Sequence, residues 1–407
     1  MVIRPGSGAL FAKAHDKRPP GRLCLFPNRP GLVLTGRQEI VIVLPTDLKG
    51  EAPKGPQIAE APTRDGGSAR QPPGRSFYHT YAALDLGTNN CRLLVARPAR
   101  EGFRIVDAFS RIVRLGEGVS ASGRLSEQAI RRTLSALEIC RDKMDARGVS
   151  RARLIATEAC RMAENGEEFL DRVYQRTGLD LEIVDRETEA HLAAAGCAAL
   201  ADAAAKGVLL FDIGGGSSEI VWLGQGTGAA SDVRGRVRHW ASLKLGVVTL
   251  AEKFGGVHVT REIFDAMVAH VSDELAEFCA RVGQETRCES FHLLGTSGTV
   301  TTLAGVHLGL ARYDRRRVDG LWMSAGEIDA ALHDLRDMSY EQRVANGCIG
   351  AERADLVLAG CAILEAIRLA FPSDRVRIAD RGLREGILAE LMSADGVWRD
   401  GERAGQR

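Results

Sequence analysis

One short pattern occurs twice in the chain, and it constrains the fold more than any other feature. Residues 81–95 and 208–223 each consist of an apolar strand, an Asp-x-Gly step, a turn of small polar residues and a second apolar strand. Asp85 and Asp212 occupy the same place in the two copies. Because the interval between the copies is too long for a solenoid, the pattern predicts two related domains. Each opens with a β-hairpin whose tip faces the other domain.

The segments around these hairpins alternate between apolar strands and helical periodicity. Short strands are predicted at residues 154–157, 181–184 and 375–379. Helices are predicted from Ser126, as N-cap, to Met144 and over residues 188–205, 261–280, 354–370 and 386–392. The last of these helices is expected to cap the sheet that residues 375–379 join. The alternation indicates an α/β architecture with mixed sheets and a domain boundary near Lys206.

The composition changes sharply near Phe77. Eleven of the 13 prolines precede it, and the same stretch has twice as many Lys and Arg residues as acidic ones. This predicts a disordered, basic, dispensable extension over residues 1–76, in which an apolar patch at residues 39–44 is able to pair as a strand. The 407 residues, 45% hydrophobic, suffice for two cores, predicted at residues 77–206 and 207–395, with a flexible tail at 396–407.

The remaining composition favours a cytoplasmic location. No stretch reaches the roughly 18–20 consecutive apolar residues that span a bilayer, and no apolar segment follows the first basic residues as in a signal peptide. The nine cysteines include no C-x-x-C pair, and Cys288 with His292 is too little for a metal site. We therefore expect a reduced protein without a membrane or nucleic-acid partner, although a basic arm is the kind of segment that contacts acidic surfaces.

Three glycine-containing turns indicate a phosphate site. Each directly follows an apolar strand and carries Ser or Thr, and backbone N–H groups in such concave turns bind phosphate oxygens. A single glycine turn is more often structural, but three together predict that a phosphate chain is bound. The candidate ligands are Gly87, Thr88 and Asn89 in the first turn, Gly214, Gly215, Gly216 and Ser217 in the second, and Gly295, Ser297, Gly298 and Thr299 in the third.

Acidic residues on the hairpins are candidate metal ligands. Asp85, Asp212 and Glu219 offer hard oxygen atoms to a Mg²⁺ ion that bridges phosphate oxygens. Glu219 lies seven residues beyond Asp212, across the glycine turn, so both side chains are able to face the same end of one hairpin. The alternative for Asp212 is a residue that only forms the turn.

A candidate general base lies in the acidic run at residues 185–191, which begins a helix after a strand. One carboxylate there would activate the attacking water, whereas acids at a helix start also stabilise the helix dipole. Spacing alone does not decide between Glu187 and Glu189. Arg161, four residues after a strand, is either a phosphate clamp or one half of a surface ion pair.

These segments together resemble a known family. Residues 85–89, 157–165, 189–192, 212–219, 295–299, 352–355 and 379–386 match, in order and at family spacing, the exopolyphosphatase and guanosine pentaphosphate phosphohydrolase (Ppx/GppA) family. The resemblance implies an actin-like ATPase (ribonuclease H-like) fold, duplicated into two domains with a cleft between them. It also implies Mg²⁺-dependent removal of terminal phosphates, and a homodimer is expected from it.

The same resemblance assigns roles to residues. Glu189 falls on the catalytic carboxylate, Asp212 and Glu219 fall on metal and water positions, and Arg161 falls on a phosphate-contacting arginine. The three glycine turns fall on the phosphate loops. Thr88 stands where the family usually has Ser, which keeps the hydroxyl. The long members carry a further helical domain that binds long polymers, and this sequence ends soon after Met392, so processivity is left open.

The sequence therefore predicts a hydrolase of acid anhydrides, acting on inorganic polyphosphate, guanosine pentaphosphate or both. One alternative is a kinase of the same fold, in which the acid activates a hydroxyl group. Another is a sensor that binds guanosine tetra- or pentaphosphate without hydrolysis, although a pure sensor has no need of Glu189. Arg312 and Arg315–Arg317 extend the anion track or form a solvated basic loop, and charge runs are usually exposed.

Overall fold

The computed structural model describes residues 40–42, 79–100, 102–226, 233–288 and 290–398, all of which belong to one compact unit, Glu39–Arg407. Most of the predicted arm at residues 1–76 and most of the predicted tail at 396–407 lie outside the described residues. The apolar patch at residues 39–44 does pair as a strand, because Ile40 lies opposite Ile105 in an antiparallel ladder.

The described residues form twelve strands and fourteen α-helices. The strands are β1 (Ile40–Ile42), β2 (Tyr81–Leu86), β3 (Asn90–Pro98), β4 (Phe103–Ile112), β5 (Arg151–Ala156), β6 (Glu182–Ile183), β7 (Gly207–Ile213), β8 (Ser218–Gly224), β9 (Val237–Leu243), β10 (Phe291–Thr296), β11 (Trp322–Ser324) and β12 (Arg375–Ala379). The helices are α1 (Val119–Ser122), α2 (Glu127–Ala146), α3 (Glu158–Met162), α4 (Gly166–Thr177), α5 (Arg186–Cys197), α6 (Val233–Arg236), α7 (Val247–Phe254), α8 (Arg261–Cys288), α9 (Gly298–His307), α10 (Arg315–Val318), α11 (Ala325–Asp337), α12 (Tyr340–Ala345), α13 (Val357–Ala370) and α14 (Leu383–Ala394).

The strands form two mixed sheets of the same design. The first has the order β1-β4-β3-β2-β5-β6 and the second the order β11-β12-β10-β7-β8-β9. In each, an antiparallel meander (β2-β3-β4 or β7-β8-β9) is extended by a parallel strand beside its first member, β5 or β10. The duplicated α/β architecture predicted from the repeated hairpin is confirmed, and the strands of the two sheets lie on either side of Lys206.

Most of the predicted helices form close to their expected limits. The Ser126 side chain accepts a hydrogen bond from Ala129 N at 3.2 Å, so it caps α2 as predicted. The helix predicted at residues 188–205 is shorter: α5 starts at Arg186, because the Asp185 carboxylate caps it through Thr188 N at 2.6 Å, and it gives way to a 3₁₀ turn at Ala198–Leu200. Within the described ranges no helix is long and apolar enough to cross a membrane.

Helices α5 and α14 lie between the two sheets. Ala190 and Ala194 of α5 join a buried apolar cluster with strands of the second sheet. Ile387 and Leu388 of α14 join a cluster with β2 and β3 of the first sheet. The prediction that residues 386–392 cap the second sheet is therefore wrong, because the chain crosses to the other half after β12 and buries its apolar face there.

Two glycines allow α5 and the start of α14 to approach closely. A Cβ atom at Gly196 would lie 1.8 Å from the Gly382 carbonyl oxygen, and one at Gly386 would lie 2.0 Å from the Leu192 carbonyl oxygen. Neither contact is sterically possible with a side chain, so both positions require glycine. The crossing joins the halves at the base of the cleft between the hairpin tips.

Candidate active site

The two hairpin tips have the same geometry. In the first, Gly87 N donates to Asn90 O at 2.9 Å, and in the second Gly214 N donates to Ser217 O at 3.0 Å. The strand registers place Asp85 opposite Arg92 and Asp212 opposite Glu219. The two tips therefore present equivalent positions, but the first pairs an acidic residue with a basic one and the second pairs two acidic residues.

The tips touch each other through glycine. A Cβ atom at Gly215 would lie 3.0 Å from Thr88 Cβ, and one at Gly216 would lie 2.6 Å from Thr88 Oγ1. The second tip is fixed from behind, because Val247 N and Val248 N, at the start of α7, donate to the carbonyls of its first two glycines at 3.0 and 2.8 Å. Small residues are required here by the close approach of the tips.

The third glycine turn lies beside the second tip. Strand β10 is parallel to β7, with Thr296 opposite Asp212, so both strands end at the same sheet edge. Ser297 then adopts φ 88°, a conformation that favours glycine, and its Oγ donates to Ile213 O at 2.7 Å. The N-terminal turn of α9, with Gly298 and Thr299, faces the same cavity. Unsatisfied N–H groups at a helix start attract anions.

A cavity of about 950 Å³, including its open mouth, lies between the tips. Two predicted residues are not among its lining: Gly295, whose Cα packs against the Phe211 ring, and Arg161. The predicted residues that do line it are Asp85, Gly87, Thr88, Asn89, Glu189, Asp212, Gly214, Gly215, Gly216, Ser217, Glu219, Ser297, Gly298 and Thr299.

The first turns of α5 separate the two candidate bases. Glu187 is exposed, whereas the side chain of Glu189 is 12% exposed and lines the cavity. Both acids lie at the helix start, but of the two only Glu189 lines the cavity. The direction in which the helix presents each residue therefore favours Glu189 as the candidate base, and the catalytic role itself stays a prediction.

Arg161 holds Glu189 in place. Its Nη2 lies 3.0 Å from Glu189 Oε2 and also contacts Glu158, which is 2% exposed, while Nη1 donates to Val184 O. Glu158 has a second partner in Arg186, at 2.6 Å. The ion pair considered as the alternative for Arg161 therefore exists, but in the interior and not on the surface. Phosphate contact by Arg161 remains a prediction.

Burial shifts the titration of the cavity acids. It raises the pKa of Asp212 to about 6, with Arg92 opposing and Asp85 adding to the rise. Burial, with the charge of Asp212, raises the pKa of Glu219 to about 7, although Ser242 Oγ donates to this carboxylate at 2.8 Å. Burial followed by repulsion from Glu219 raises the pKa of Glu189, against the attraction of Arg161. Burial thus disfavours the ionised form of these three carboxyl groups in the cavity.

Two further oxygen atoms face no partner. Asn89 Oδ1 and Asn90 Oδ1 are buried without a hydrogen bond in the described structure, and both residues line the cavity. Hard, unsatisfied oxygens beside Asp85 and Asp212 fit a divalent cation in chemistry. Within the described ranges, no three acidic, His or Cys side chains form a ready-made metal cluster. The residues therefore fit an ion that completes its shell with substrate oxygens, as Mg²⁺ commonly does.

The sequence reasoning missed three arginines. A second chamber of about 1810 Å³ shares Asp85, Asp212 and Ser297 with the first cavity, and Arg92, Arg353 and Arg384 all line it. No described residue forms a hydrogen bond or ion pair with these three guanidinium groups, so they are available to an anion. Arg92 was detectable, because it follows Asp85 by the same seven residues that separate Glu219 from Asp212.

The basic run divides between the surface and the chamber. Arg312, Arg316 and Arg317 are exposed. Arg315 lines the chamber, where its Nη2 lies 3.0 Å from Glu385 Oε1 and its Nε lies 3.5 Å from Asp380 Oδ2. The solvated-loop interpretation fits the first three, whereas Arg315 is already neutralised by acids.

Fold and site together define a two-lobed α/β protein of the actin-like class, with an anion-accepting cleft and a buried carboxylate at its edge. Comparison with known sequences makes the assignment specific. The chain belongs to the Ppx/GppA phosphatase family, whose model matches residues 94–395.

Two curated relatives illustrate this similarity. A guanosine-5'-triphosphate,3'-diphosphate pyrophosphatase of Photobacterium profundum is 28% identical over 317 residues, which are 77% of this chain and 59% of that protein. A bifunctional 3-dehydroquinate synthase/phosphatase of Fusobacterium nucleatum is 27% identical over 317 residues, 76% of this chain and 46% of that protein. The chain thus spans about half the length of these relatives.

Solved structures support the fold. A Ppx/GppA family member from Aquifex aeolicus is 30% identical, with a TM-score of 0.64, over 78% of this chain and 98% of its own. An exopolyphosphatase from Cytophaga hutchinsonii has a TM-score of 0.70 at 22% identity, over 78% of this chain and 98% of its own, and bears on the fold alone.

Proposed function

We propose that this chain hydrolyses the terminal phosphoanhydride bond of inorganic polyphosphate, with Mg²⁺ as cofactor and Glu189 as the base that activates water. The observation that carries the proposal is the continuity of two spaces. A cavity ringed by three glycine turns and a buried carboxylate opens into a chamber where Arg92, Arg353 and Arg384 form no hydrogen bond or ion pair with any described residue. A terminal phosphate would occupy the cavity and the rest of the chain would occupy the chamber.

The cavity supplies what phosphate hydrolysis requires. Backbone N–H groups of the turns and of the α9 start would bind the oxygens of the terminal phosphate. Glu189, held by Arg161, would orient the attacking water and accept its proton. Its raised pKa suits that role, because a stronger base accepts a proton more readily.

Mg²⁺ would be held by carboxylates of Asp85, Asp212 or Glu219 together with phosphate oxygens. When bound, it would neutralise charge on the phosphate chain. Burial raises the pKa of Asp212 and of Glu219, and a bound cation would stabilise the ionised carboxylates that burial disfavours, which supports this assignment.

The chamber supports a substrate longer than one phosphate group. Arg92, Arg353 and Arg384 would neutralise successive phosphates, since guanidinium groups bind phosphate through paired N–H donors. Guanosine pentaphosphate is the second candidate, because the rings of Phe109 and Tyr313 also line the chamber. Such apolar surface suits a nucleoside and not an inorganic chain. The homodimer and the cytoplasmic location remain predictions.

The test is phosphate release, measured in parallel on polyphosphates of several lengths and on guanosine pentaphosphate, with Mg²⁺ and with a chelator. We expect Mg²⁺-dependent release that is faster on polyphosphate. Arg92→Gln should raise KM more for longer chains, whereas Arg97→Gln, an exposed position on the same strand, should not. Tight binding without release would favour the sensor, and release that requires an acceptor hydroxyl would favour the kinase. Either result would overturn the proposal.

A further inference from the structure

We propose that Arg114 is a positioning residue that clamps the first glycine turn (residues 87–89, called here the first phosphate turn) to the segment carrying Arg353. The clamp would set the width of the cleft between the two halves. The kinetic test of this role rests on the proposed function, whereas the effect of Arg114 on the width of the cleft is measurable without enzyme activity. Three features support this role: the unusual backbone of Arg114, the binding of its guanidinium to the other half, and the anchoring of both ends.

The backbone of Arg114 is strained. Its φ of 47° lies in the left-handed region, and among described non-glycine residues only Ser297 shares a positive φ. Such conformations persist where the surroundings impose them, and they cluster at functional sites. Here the strained residue donates its N–H to Asn89 O at 3.0 Å, and Val113 N donates to the same oxygen at 2.9 Å. Gly116 N adds a bond to Thr88 O at 2.9 Å. The backbone around Arg114 therefore supports the first phosphate turn directly.

The side chain of Arg114 reaches the other half of the protein. Its Nη1 lies 2.9 Å from Asp355 Oδ2 and its Nη2 lies 3.0 Å from Asp355 Oδ1, a bidentate pair. Nη2 also donates to Glu352 O at 3.1 Å. Glu352 and Asp355 flank Arg353, whose guanidinium lies near the third phosphate turn, 3.7 Å from where a Gly298 Cβ would be. One guanidinium thus holds both sides of the segment that presents Arg353 to the cleft.

Both ends of this connection are anchored. On the first half, Arg132 donates to the carbonyls of Val113 and Arg114 at 2.9 and 3.2 Å. On the second half, Arg343 is 2% exposed and donates to Ala354 O at 3.1 Å and to Val257 O at 2.7 Å. Because both segments are held in place, the contact between them fixes the position of one half relative to the other. A contact to a loosely held loop would not do so.

The Arg114–Asp355 ion pair is partly exposed, so its loss should change the position of the two halves more than their folding. The Arg114 and Asp355 side chains are 31% and 23% exposed, and ion pairs at such sites contribute little to global stability. Loss of the clamp should therefore leave each half folded and change the distance between them. Because catalysis depends on placement, a shift of about 1 Å at the phosphate turns is enough to reduce the rate roughly 100-fold.

The variants are chosen to separate the clamp from backbone strain. Arg114→Gly removes the guanidinium and suits φ 47°, and Asp355→Asn removes the charge of the partner at nearly constant shape. Arg375→Ala is the matched control, because it breaks another arginine–aspartate pair, with Asp202 at 2.6 Å, away from the cleft. We expect kcat/KM on short polyphosphate to fall about 10–100-fold in the first two variants. The control should retain it, and all three should unfold at similar denaturant concentrations.

A double variant tests whether Arg114 acts through Arg353. If it does, Arg114→Gly combined with Arg353→Ala should lose less than the product of the two single losses. Multiplicative losses, or losses in Arg114→Gly no larger than in the control, would overturn the proposal.

Small-angle scattering of the free proteins gives a readout that does not require turnover. Arg114→Gly should show a larger radius of gyration than wild type and Arg375→Ala. An unchanged radius would refute the clamp even if activity fell. Should wild-type protein release no phosphate, the proposed function fails, and scattering still decides whether Arg114 sets the cleft.

Discussion

Replacing Glu189 by Gln removes the proposed base while changing little else. The amide keeps the shape of the side chain and an oxygen that can accept the bond from Arg161 Nη2, which is 3.0 Å away. It cannot accept a proton from water. A positioned base contributes roughly 10²–10⁴-fold to the rate, so kcat should fall by that factor, equivalent to about 3–5 kcal/mol in activation free energy.

Folding should survive this change. Burial and the charge of Glu219 both raise the pKa of Glu189, so its ionised form is disfavoured at this position. A neutral amide avoids that repulsion, while Arg161 loses one charged partner but keeps its contact with the buried Glu158. These effects oppose each other, and we expect a thermal midpoint close to that of the wild type.

The assay is steady-state phosphate release from short polyphosphate, with Glu187→Gln as the matched control. Glu187 lies on the same helix turn but is exposed, so its amide variant should keep wild-type kcat. Wild-type turnover in Glu189→Gln, or an equal loss in both variants, would refute the assignment of the base.

Three further predictions follow from individual contacts. Arg161→Gln should move the acid limb of the kcat–pH profile to higher pH, because Arg161 lowers the pKa of Glu189 and the base works only when deprotonated; an unmoved limb would count against this pairing. Gly196→Ala should destabilise the protein by about 1–3 kcal/mol in urea unfolding, because its Cβ would lie 1.8 Å from a backbone carbonyl. Gly283→Ala, a helical glycine with nothing within 4 Å of an added Cβ, should be neutral or stabilising in the same measurement. Ser217→Ala should raise KM more than it lowers kcat, since a group that binds substrate and transition state alike changes only affinity.

The duplicated hairpins were predictable because their signal is local. Apolar alternation, an Asp-x-Gly step and small turn residues specify the tip within a few positions, and the repeat itself indicates two domains. The sheet registers confirm the equivalence of Asp85 and Asp212. Spacing alone does not distinguish Glu189 from Glu187; in the structure the Asp185 cap sets the start of α5, and of the two only Glu189 lines the cavity.

The missed features depend on contacts between distant segments. Arg353 and Arg384 reach the chamber from the stretch before α13 and from the start of α14, and no local pattern shows that two such segments converge. The position of α14 on the first sheet has the same origin. This helix packs on β2 and β3 and crosses α5 closely at Gly196 and Gly386, which are contacts between segments distant in the sequence.

The two hairpins have equivalent backbones but carry different charged side chains. The partner of Asp85 is Arg92, and the partner of Asp212 in the equivalent register is Glu219. Burial raises the pKa of both aspartates, with Arg92 opposing each rise, and burial together with the charge of Asp212 raises the pKa of Glu219 to about 7. One tip therefore pairs an acidic with a basic side chain, and the other places two buried carboxyl groups in the cavity that Glu189 also lines. A phosphate chain would be drawn to the first tip, and a water molecule or cation to the second. Equivalent backbones with different side chains thus give the two facing walls of one cleft different charge.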